Sequence, residues 1–460
     1  VMSVDNVVIV GAGVAGASAA YHLSFAGVKN VVVLDCGTAG HGSLTPVKDC
    51  TKTEEQEEGS VFQFAHRSGS AVMPSASTIK MIVRLFASSA TDFIEHHGIE
   101  GAKKYIKITT SGLETEKEIA SSILPNAAEQ LRAFGSLYLA YEKDEAEFRK
   151  EFDILKEIGC DDIEWWEKDQ LLITPGCSKK FHCGIFFPKD AIINSSVYSA
   201  ALLSAATAMG AVRVVENCSP VVSVSTIPAS QATCPSSFGE DETVGLTVLQ
   251  DGTRMESRHI VLATGGLFTN DPNLSGIVRP CWSYLVSVPH PETTEETLDA
   301  NSATFSDGVP KFSMNFFSWG FTHDWSWTEG AVRISGEDHF SALKPPRAPQ
   351  RCQNLAHWTQ EAYGDVFPTP EAETVPYEWQ YGVYSETPDS VPVVGRTSDS
   401  SKVCYLLGCN AWGQAVLSYT ATLVPGLLGY TPMTEEQSDL FELVSVRRFA
   451  LLPSVLEGCK

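Results

Sequence analysis

Two runs of apolar residues with no polar position among them, Val7-Val8-Ile9-Val10 and Val31-Val32-Val33-Leu34, flank a stretch of small and apolar residues that reads as a helix ending near Gly27. Continuous β-branched runs of this length predict strands buried on both faces of a parallel sheet, and the stretch between them predicts the crossover helix of a βαβ unit. The turn from the first strand into the helix is Gly11-Ala12-Gly13-Val14-Ala15-Gly16, and Asp35-Cys36 follows the second strand, Asp35 lying nineteen positions after Gly16. Gly11 allows a tight turn, Gly13 lets a pyrophosphate approach backbone N–H groups, and Gly16 lets helix and strand pack closely. The acid can accept hydrogen bonds from a ribose.

Farther along, Ile79, Ile82, Val83, Phe86, Ala90, Phe93 and Ile94 predict one apolar helix face closed by Gly98, with His96 and His97 at its C-terminus. Ser136–Ala140 reads as a strand and Glu142–Ile158 as an amphipathic helix stopped by Gly159. Asn194 reads as the N-cap of a helix from Ser195 to Met209, with Val197, Ala201, Ala205 and Met209 aligned against a sheet. Val221–Ser225, Val244–Leu249 and Ile260–Ala263 predict an antiparallel meander that leads into Thr264-Gly265-Gly266. From Val278 to about Trp379 an aromatic-rich antiparallel sheet is expected, its aromatic face suited to walling a substrate pocket. The strand Val403–Leu407 then runs through Gly408-Cys409-Asn410-Ala411-Trp412-Gly413-Gln414-Ala415 into a second helix N-terminus suited to negative charge.

At 460 residues the chain exceeds one ordinary core, and 43% hydrophobic content can fill two domains. The formal net charge of −23 excludes a basic stripe for nucleic acid or an anionic membrane surface, and favours a neutral or basic small molecule or a protein partner. The twelve cysteines show no CxxC pairing, so they are read as reduced thiols of a soluble, intracellular chain, in the cytoplasm or an organelle interior. No apolar run is long enough for a transmembrane segment, and the apolar N-terminus reads as the first strand of the fold. Glu337-Asp338-His339 comes nearest to a metal triad, but neighbours in a strand point to opposite faces, and no metal is assigned. Two widely separated glycine hinges, at 11–16 and 265–266, argue for a long dinucleotide, FAD.

The order and spacing of GAGVAG with Asp35, SLYLA, GIFFP, CSPVVSV, IVLATGG, TPDSVPVVG, LGCNAWGQA and the terminal Arg447-Arg448-Phe449 resemble the D-amino-acid oxidase, glycine oxidase and sarcosine oxidase (DAO) family of FAD oxidoreductases over nearly the whole chain. The resemblance implies an α/β fold: a Rossmann-like, glutathione-reductase-type FAD-binding domain with a β-meander, plus an α+β substrate domain with a mixed or antiparallel sheet. It implies a discontinuous FAD domain over 1–75, 190–270 and 380–460, and a substrate domain over 76–189 and 271–379. FAD contacts are expected from Gly11, Gly13, Val14, Ala15, Gly16, Asp35 and Cys36, from loop residues Ser43, Arg67, Ser68, Gly69 and Ser70, and from the backbone of Val221. Thr264, Gly265, Gly382, Gly408, Ala411, Trp412, Gly413, Gln414 and Ala415 complete the set.

The sequence departs from the family pattern in three places, one of them the helix-opening loop, which has Ala411 and Trp412 where the family places another polar or cationic group. Tyr384 stands where glycine oxidases carry a carboxylate-binding arginine, and Gly382 stands where sarcosine oxidases carry the cysteine that bonds FAD. The resemblance therefore implies non-covalent FAD and oxidation of an amine or amino-acid-like C–N bond by hydride transfer to the flavin, with O2 or another acceptor reoxidising it. Tyr384, Asn410, Trp412 and Arg333 are expected around the substrate, and no side-chain base is required. The alternative from a different class is a flavoprotein of the same fold retained as an assembly factor or structural subunit of a larger protein complex.

Overall fold

Both apolar runs become the central strands of a twisted sheet, because residues with no polar face can only be buried from both sides. The computed structural model describes residues 5–39, 81–266, 271–289, 313–316, 324–328, 331–340, 348–363 and 378–450, apart from positions 83, 85, 175, 176, 234, 236, 237, 240, 241 and 272. In chain order the strands are β1 (Asp5–Val10), β2 (Val31–Leu34), β3 (Met81–Ile82), β4 (Leu131–Arg132), β5 (Ser136–Ala140), β6 (Glu164–Trp166), β7 (Cys183–Phe187), β8 (Ala191–Ile193), β9 (Val212–Val215), β10 (Val221–Pro228), β11 (Thr243–Leu249), β12 (Arg254–Leu262), β13 (Arg279–Pro289), β14 (Ser313–Phe316), β15 (Asp324–Thr328), β16 (Ala331–Phe340), β17 (Glu378–Glu386), β18 (Val393–Gly395) and β19 (Val403–Leu407). The longer helices are α1 (Val14–Phe25), α2 (Ala90–Ile123), α3 (Glu145–Glu157), α4 (Ser195–Ala208), α5 (Ala348–Tyr363), α6 (Gly413–Thr422) and α7 (Glu435–Val444).

The first sheet runs β10-β11-β12-β1-β2-β9, with β19 beside β12 and β18 beside β19. β1 pairs in parallel with both β2 and β12, while β10, β11 and β12 form the expected antiparallel meander. β12 is longer than its apolar stretch. Its first half, Arg254–Ser257, pairs with β11, and its second half, Ile260–Leu262, pairs with β19. This fork lets one strand serve the meander and still deliver its C-terminal end beside β1. Val7, Ile9, Val31 and Val33 face a core shared with α1, α4 and α6, while Val8, Val10, Val32 and Leu34 face Val393, Tyr405, Val446 and Phe449.

The second sheet runs β17-β13-β16-β15-β14-β5-β7-β6. Its described pairings are antiparallel except β14 with β5, so the sheet is mixed. Side chains alternate across β13 and β17. Trp282, Tyr284, Tyr381 and Val383 pack beneath α5 on Cys352 and Leu355, while Cys281, Leu285 and Tyr384 face the other way. The described aromatics of this face, Trp282, Tyr284 and Tyr381, are therefore core under a helix. A small third sheet, β3-β8-β4, is pinned by the buried Arg84, whose Nε donates to Asp190 at 3.0 Å while its Nη1 donates to Asp162 at 2.7 Å.

Two helix expectations need correction. The apolar stretch around residue 82 enters strand β3, and α2 begins only at Ala90, where the Ser89 hydroxyl accepts from the Asp92 N–H at 3.0 Å. Gly98 does break the helix, with φ 69°, but the chain resumes helical form at once and continues to Ile123. On α4 the buried face carries Tyr198, Leu202 and Ala206, whereas Val197, Ala201, Ala205 and Met209 are partly or fully exposed. A helix rich in alanine is apolar nearly all round, so periodicity alone picks no face; the larger Tyr198 and Leu202 offer more area to bury.

Among the described cysteines no disulfide forms. No described helix is long and apolar enough to cross a membrane.

Candidate functional site

Gly11 leaves β1 with φ 102°, a region that glycine enters freely, and a Cβ there would lie 2.4 Å from the Ala263 carbonyl oxygen. A Cβ on Gly16 would fall 1.9 Å from the Gly11 oxygen, so both glycines are required by close approach. Gly13 caps α1 without any side-chain hydrogen bond, and no acidic residue occupies the first turn formed by Val14, Ala15 and Gly16. The backbone N–H groups there face outward with the positive end of the helix dipole.

Asp35 closes this turn from the side. Its Oδ2 accepts from the Ala12 N–H and its Oδ1 from the Gly37 N–H, each at 2.7 Å. Burial raises its pKa against the pull of those two bonds. A carboxylate has about four acceptor positions, so two remain for a ribose. Cys36 sits beside it, its thiol pushed up to about 11 by burial and by the neighbouring Asp35 charge. Val221 opens β10 opposite Leu249 and packs on the cluster of Val10 and Leu34, at the C-terminal ends of β1 and β2.

Two more segments converge on the same end of the sheet. Beyond β12, the buried Thr264 hydroxyl has no hydrogen-bond partner among the described residues, Gly265 has φ 60°, and a Cβ on Gly266 would meet the Tyr384 carbonyl oxygen at 2.5 Å. Beyond β19, Gly408 with φ 75° backs onto Thr387, and Asn410 and Ala411 follow at φ 49° and 66°. Two successive non-glycine residues in the left-handed region cost on the order of 1–3 kcal/mol each. The Asn410 side chain holds them: Oδ1 accepts from the Thr387 N–H at 2.8 Å, and Nδ2 donates to the Gly408 carbonyl at 2.7 Å. Trp412, half-buried, then opens α6 with no side-chain cap, so the N–H groups of Gly413, Gln414 and Ala415 start the helix without one.

Facing this loop from the second sheet, Tyr384 is 5% exposed and its hydroxyl lies 2.9 Å from Asp338 Oδ2 and 2.8 Å from Glu386 Oε1. One phenol carries one proton, so both contacts need a second proton on a carboxyl group. Burial supplies the reason, pushing Asp338 up to about 6 against the pull of its hydrogen bonds with Ser283 and Tyr384. The Cys281 thiol hydrogen-bonds into the same group and is raised by burial and by Glu386.

The family model described as FAD dependent oxidoreductase, DAO, matches residues 6–424. The chain belongs to the DAO family of FAD-dependent oxidoreductases. Among solved structures, glycine oxidase from Geobacillus kaustophilus matches with a TM-score of 0.66 at 16% identity, covering 96% of this chain and 98% of that one. L-Proline dehydrogenase from P. horikoshii matches at 0.65 and 14%, covering 98% and 99%. Fructosamine oxidase (Amadoriase II) from Aspergillus fumigatus matches at 0.62 and 16%, covering 100% and 92%. Among curated proteins, no sequence matches.

The DAO chain's cofactor is FAD, and its residues fit that molecule: the glycine-lined approach at 11–16, the open first turns of α1 and α6, Asp35 with acceptor capacity to spare, and the orphaned Thr264 hydroxyl. The expected contacts at Ser43 and Arg67–Ser70 lie outside the described residues. Arg333 holds a register position in β16 between Ser287 and Ser326, and its side chain also lies outside them. Gly382, opposite Ser283 in β17, has no side-chain nucleophile to offer a flavin. Asn410 departs from its expected place in the substrate pocket. It is 1% exposed and spends both ends of its amide on the loop.

Sequence reading missed Asp338 and Glu386 as partners of Tyr384. Asp338 was considered only with its chain neighbours, and those diverge: Glu337 turns to Arg351 Nη1 at 3.3 Å. The alternation of Tyr384 and Glu386 along β17 places both on one face, and that signal was available.

Proposed function

We propose that this DAO-family protein oxidises the carbon–nitrogen bond of an amine that presents a cation and no carboxylate. The observation that carries the reading is the Tyr384 hydroxyl between Asp338 and Glu386, where a carboxylate-binding arginine is expected in relatives that oxidise amino acids. A half-buried pair of acids repels a substrate carboxylate and attracts an ammonium group. Bound FAD supplies the acceptor for the hydride on the carbon next to nitrogen. The protein's share is orientation and charge. An ammonium group must lose a proton before its carbon can give up hydride, and an ionised carboxylate of the Asp338–Tyr384–Glu386 group is where that proton goes. The relatives named glycine oxidase, L-proline dehydrogenase and fructosamine oxidase support the amine reading at the level of reaction type.

In this reading the chain divides into a FAD unit over 1–75, 190–270 and 380–460, with β17 paired into the second sheet, and a substrate unit over 76–189 and 271–379; FAD is held without a covalent bond, and O2 or another acceptor reoxidises it. The test is anaerobic mixing of the FAD-loaded protein with two panels, primary and secondary amines lacking a carboxylate and the corresponding amino acids. Loss of the flavin's visible absorbance is expected with members of the first panel. Loss with amino acids alone overturns the substrate class. No loss with either, in a protein that co-purifies in a complex, leaves the assembly-factor reading in its place.

A further inference from the structure

Glu116 is 0% exposed in α2, yet it neighbours no cation among the described residues. Its Oε1 accepts from Gln414 Nε2 at 2.5 Å and its Oε2 from the Ser418 hydroxyl at 2.9 Å, so it grips the first two turns of α6. The other end of the Gln414 amide accepts from the Ser195 hydroxyl at 3.3 Å, at the start of α4. Gly112, one turn before Glu116, brings the helices together: a Cβ there would sit 1.9 Å from the Ala415 carbonyl oxygen. With both ends of its side chain engaged, Gln414 cannot fold back to cap its own helix. The opening N–H groups of α6 stay available to an anionic group.

We propose that Glu116 is a positioning residue that holds Gln414 away from the start of α6, and that it takes up a proton when negative charge develops at that helix start. The inference rests on the family's FAD and is independent of the substrate class. Two negative charges at opposite sides of one helix turn disfavour each other, and the buried one yields by accepting a proton on a carboxylate oxygen. No electron passes through Glu116, and no bond but O–H forms there. From α4, Tyr198 faces Glu116, with Tyr21 of α1 behind it; from α6 come only Gln414 and Ser418. On α2 itself, Glu114 and Glu118 are exposed and Lys117 turns away to the Lys189 carbonyl. Burial, opposed by the two hydrogen bonds, puts the carboxyl up to about 8, within reach of ordinary buffers.

The test is the midpoint potential of the bound FAD against pH, poised with dithionite, for the wild type and Glu116→Gln. The amide keeps an acceptor for Gln414 and cannot titrate. The wild type should show one extra proton per two electrons above about pH 8, a tenfold change per pH unit or about 30 mV. The variant should lack that added slope while binding FAD. Equal slopes in the two proteins overturn the inference. Should Glu116→Gln fail to retain FAD, Ser418→Ala decides: loss of a donor to the charged carboxylate should move the bend to higher pH, and an unmoved bend is equally fatal. Failure to bind FAD in the wild type would instead strike the functional reading.

Discussion

Arg448 grips Asp389 along one edge of its guanidinium, Nε to Oδ2 at 2.7 Å and Nη2 to Oδ1 at 3.0 Å. The same guanidinium donates to the carbonyls of Val391, Pro392, Val444 and Ser445, and His97 Nε2 meets the Asp389 carbonyl at 2.7 Å. The end of α7, the break in α2 and the loop before β18 are thereby joined at one point. That loop supports the turn at 408–411 through Thr387, which bonds Asn410 and backs Gly408. Arg448→Met should cost about 3–5 kcal/mol, because it leaves a carboxylate only 5% exposed without its partner. Urea unfolding measures the loss; a change below about 1 kcal/mol would show the pair to be dispensable.

The same pair sets a pH dependence. Burial alone would raise Asp389, but the Arg448 hydrogen bonds and charge outweigh it and hold the carboxyl below its usual range. A depressed folded pKa means a contribution present above the unfolded value of about 3.9 and lost as pH falls through the folded one. In urea titrations from pH 6 to pH 3, the stability advantage of wild type over Asp389→Asn should shrink only on the acid side of about pH 4. A constant difference would contradict the assignment.

The glycine turn and its acid were legible because strand, turn, helix and second strand are encoded by neighbours within one short stretch. So was the meander, where alternation and a turn at Asp251-Gly252 coincide. The latter part of α2 was not. Its Glu114-Thr115-Glu116-Lys117-Glu118 charge pattern resembles a solvated face, and only the spacing of Gly112, Leu113, Glu116 and Ala120 marks a buried side. The Arg448–Asp389 grip spans a long sequence separation and leaves no local trace. Asp338 was hidden for a similar reason, since its partner Tyr384 reaches it from a different strand.

Gly112 offers a test of the helix crossing behind the cofactor site. Gly112→Ala places a methyl group against the Ala415 carbonyl, where the backbone must move. Overpacking of this kind costs about 1–3 kcal/mol. The added consequence here is a displaced first turn of α6, so FAD affinity should fall along with the melting temperature. Recovery of flavin fluorescence on release of FAD reports the affinity, and unchanged retention would place the cofactor away from this turn.

Tyr384 carries the substrate reading, and two substitutions separate its parts. Tyr384→Phe removes a donor that stabilises ionised Asp338, so the Asp338 pKa rises from about 6. A higher pH is then needed to ionise it, and the acid limb of amine-driven flavin reduction should move upward in pH. Tyr384→Arg puts a permanent cation between Asp338 and Glu386, cancelling the charge offered to an ammonium group. A charge-assisted hydrogen bond is worth about 1.5–3 kcal/mol, so amine reduction should weaken roughly ten- to a hundredfold while carboxylate-bearing amino acids gain. Stopped-flow flavin reduction with one amine and its matching amino acid reads both changes. If the arginine variant leaves the ratio between the two substrates unchanged, the acid pair does not select the substrate.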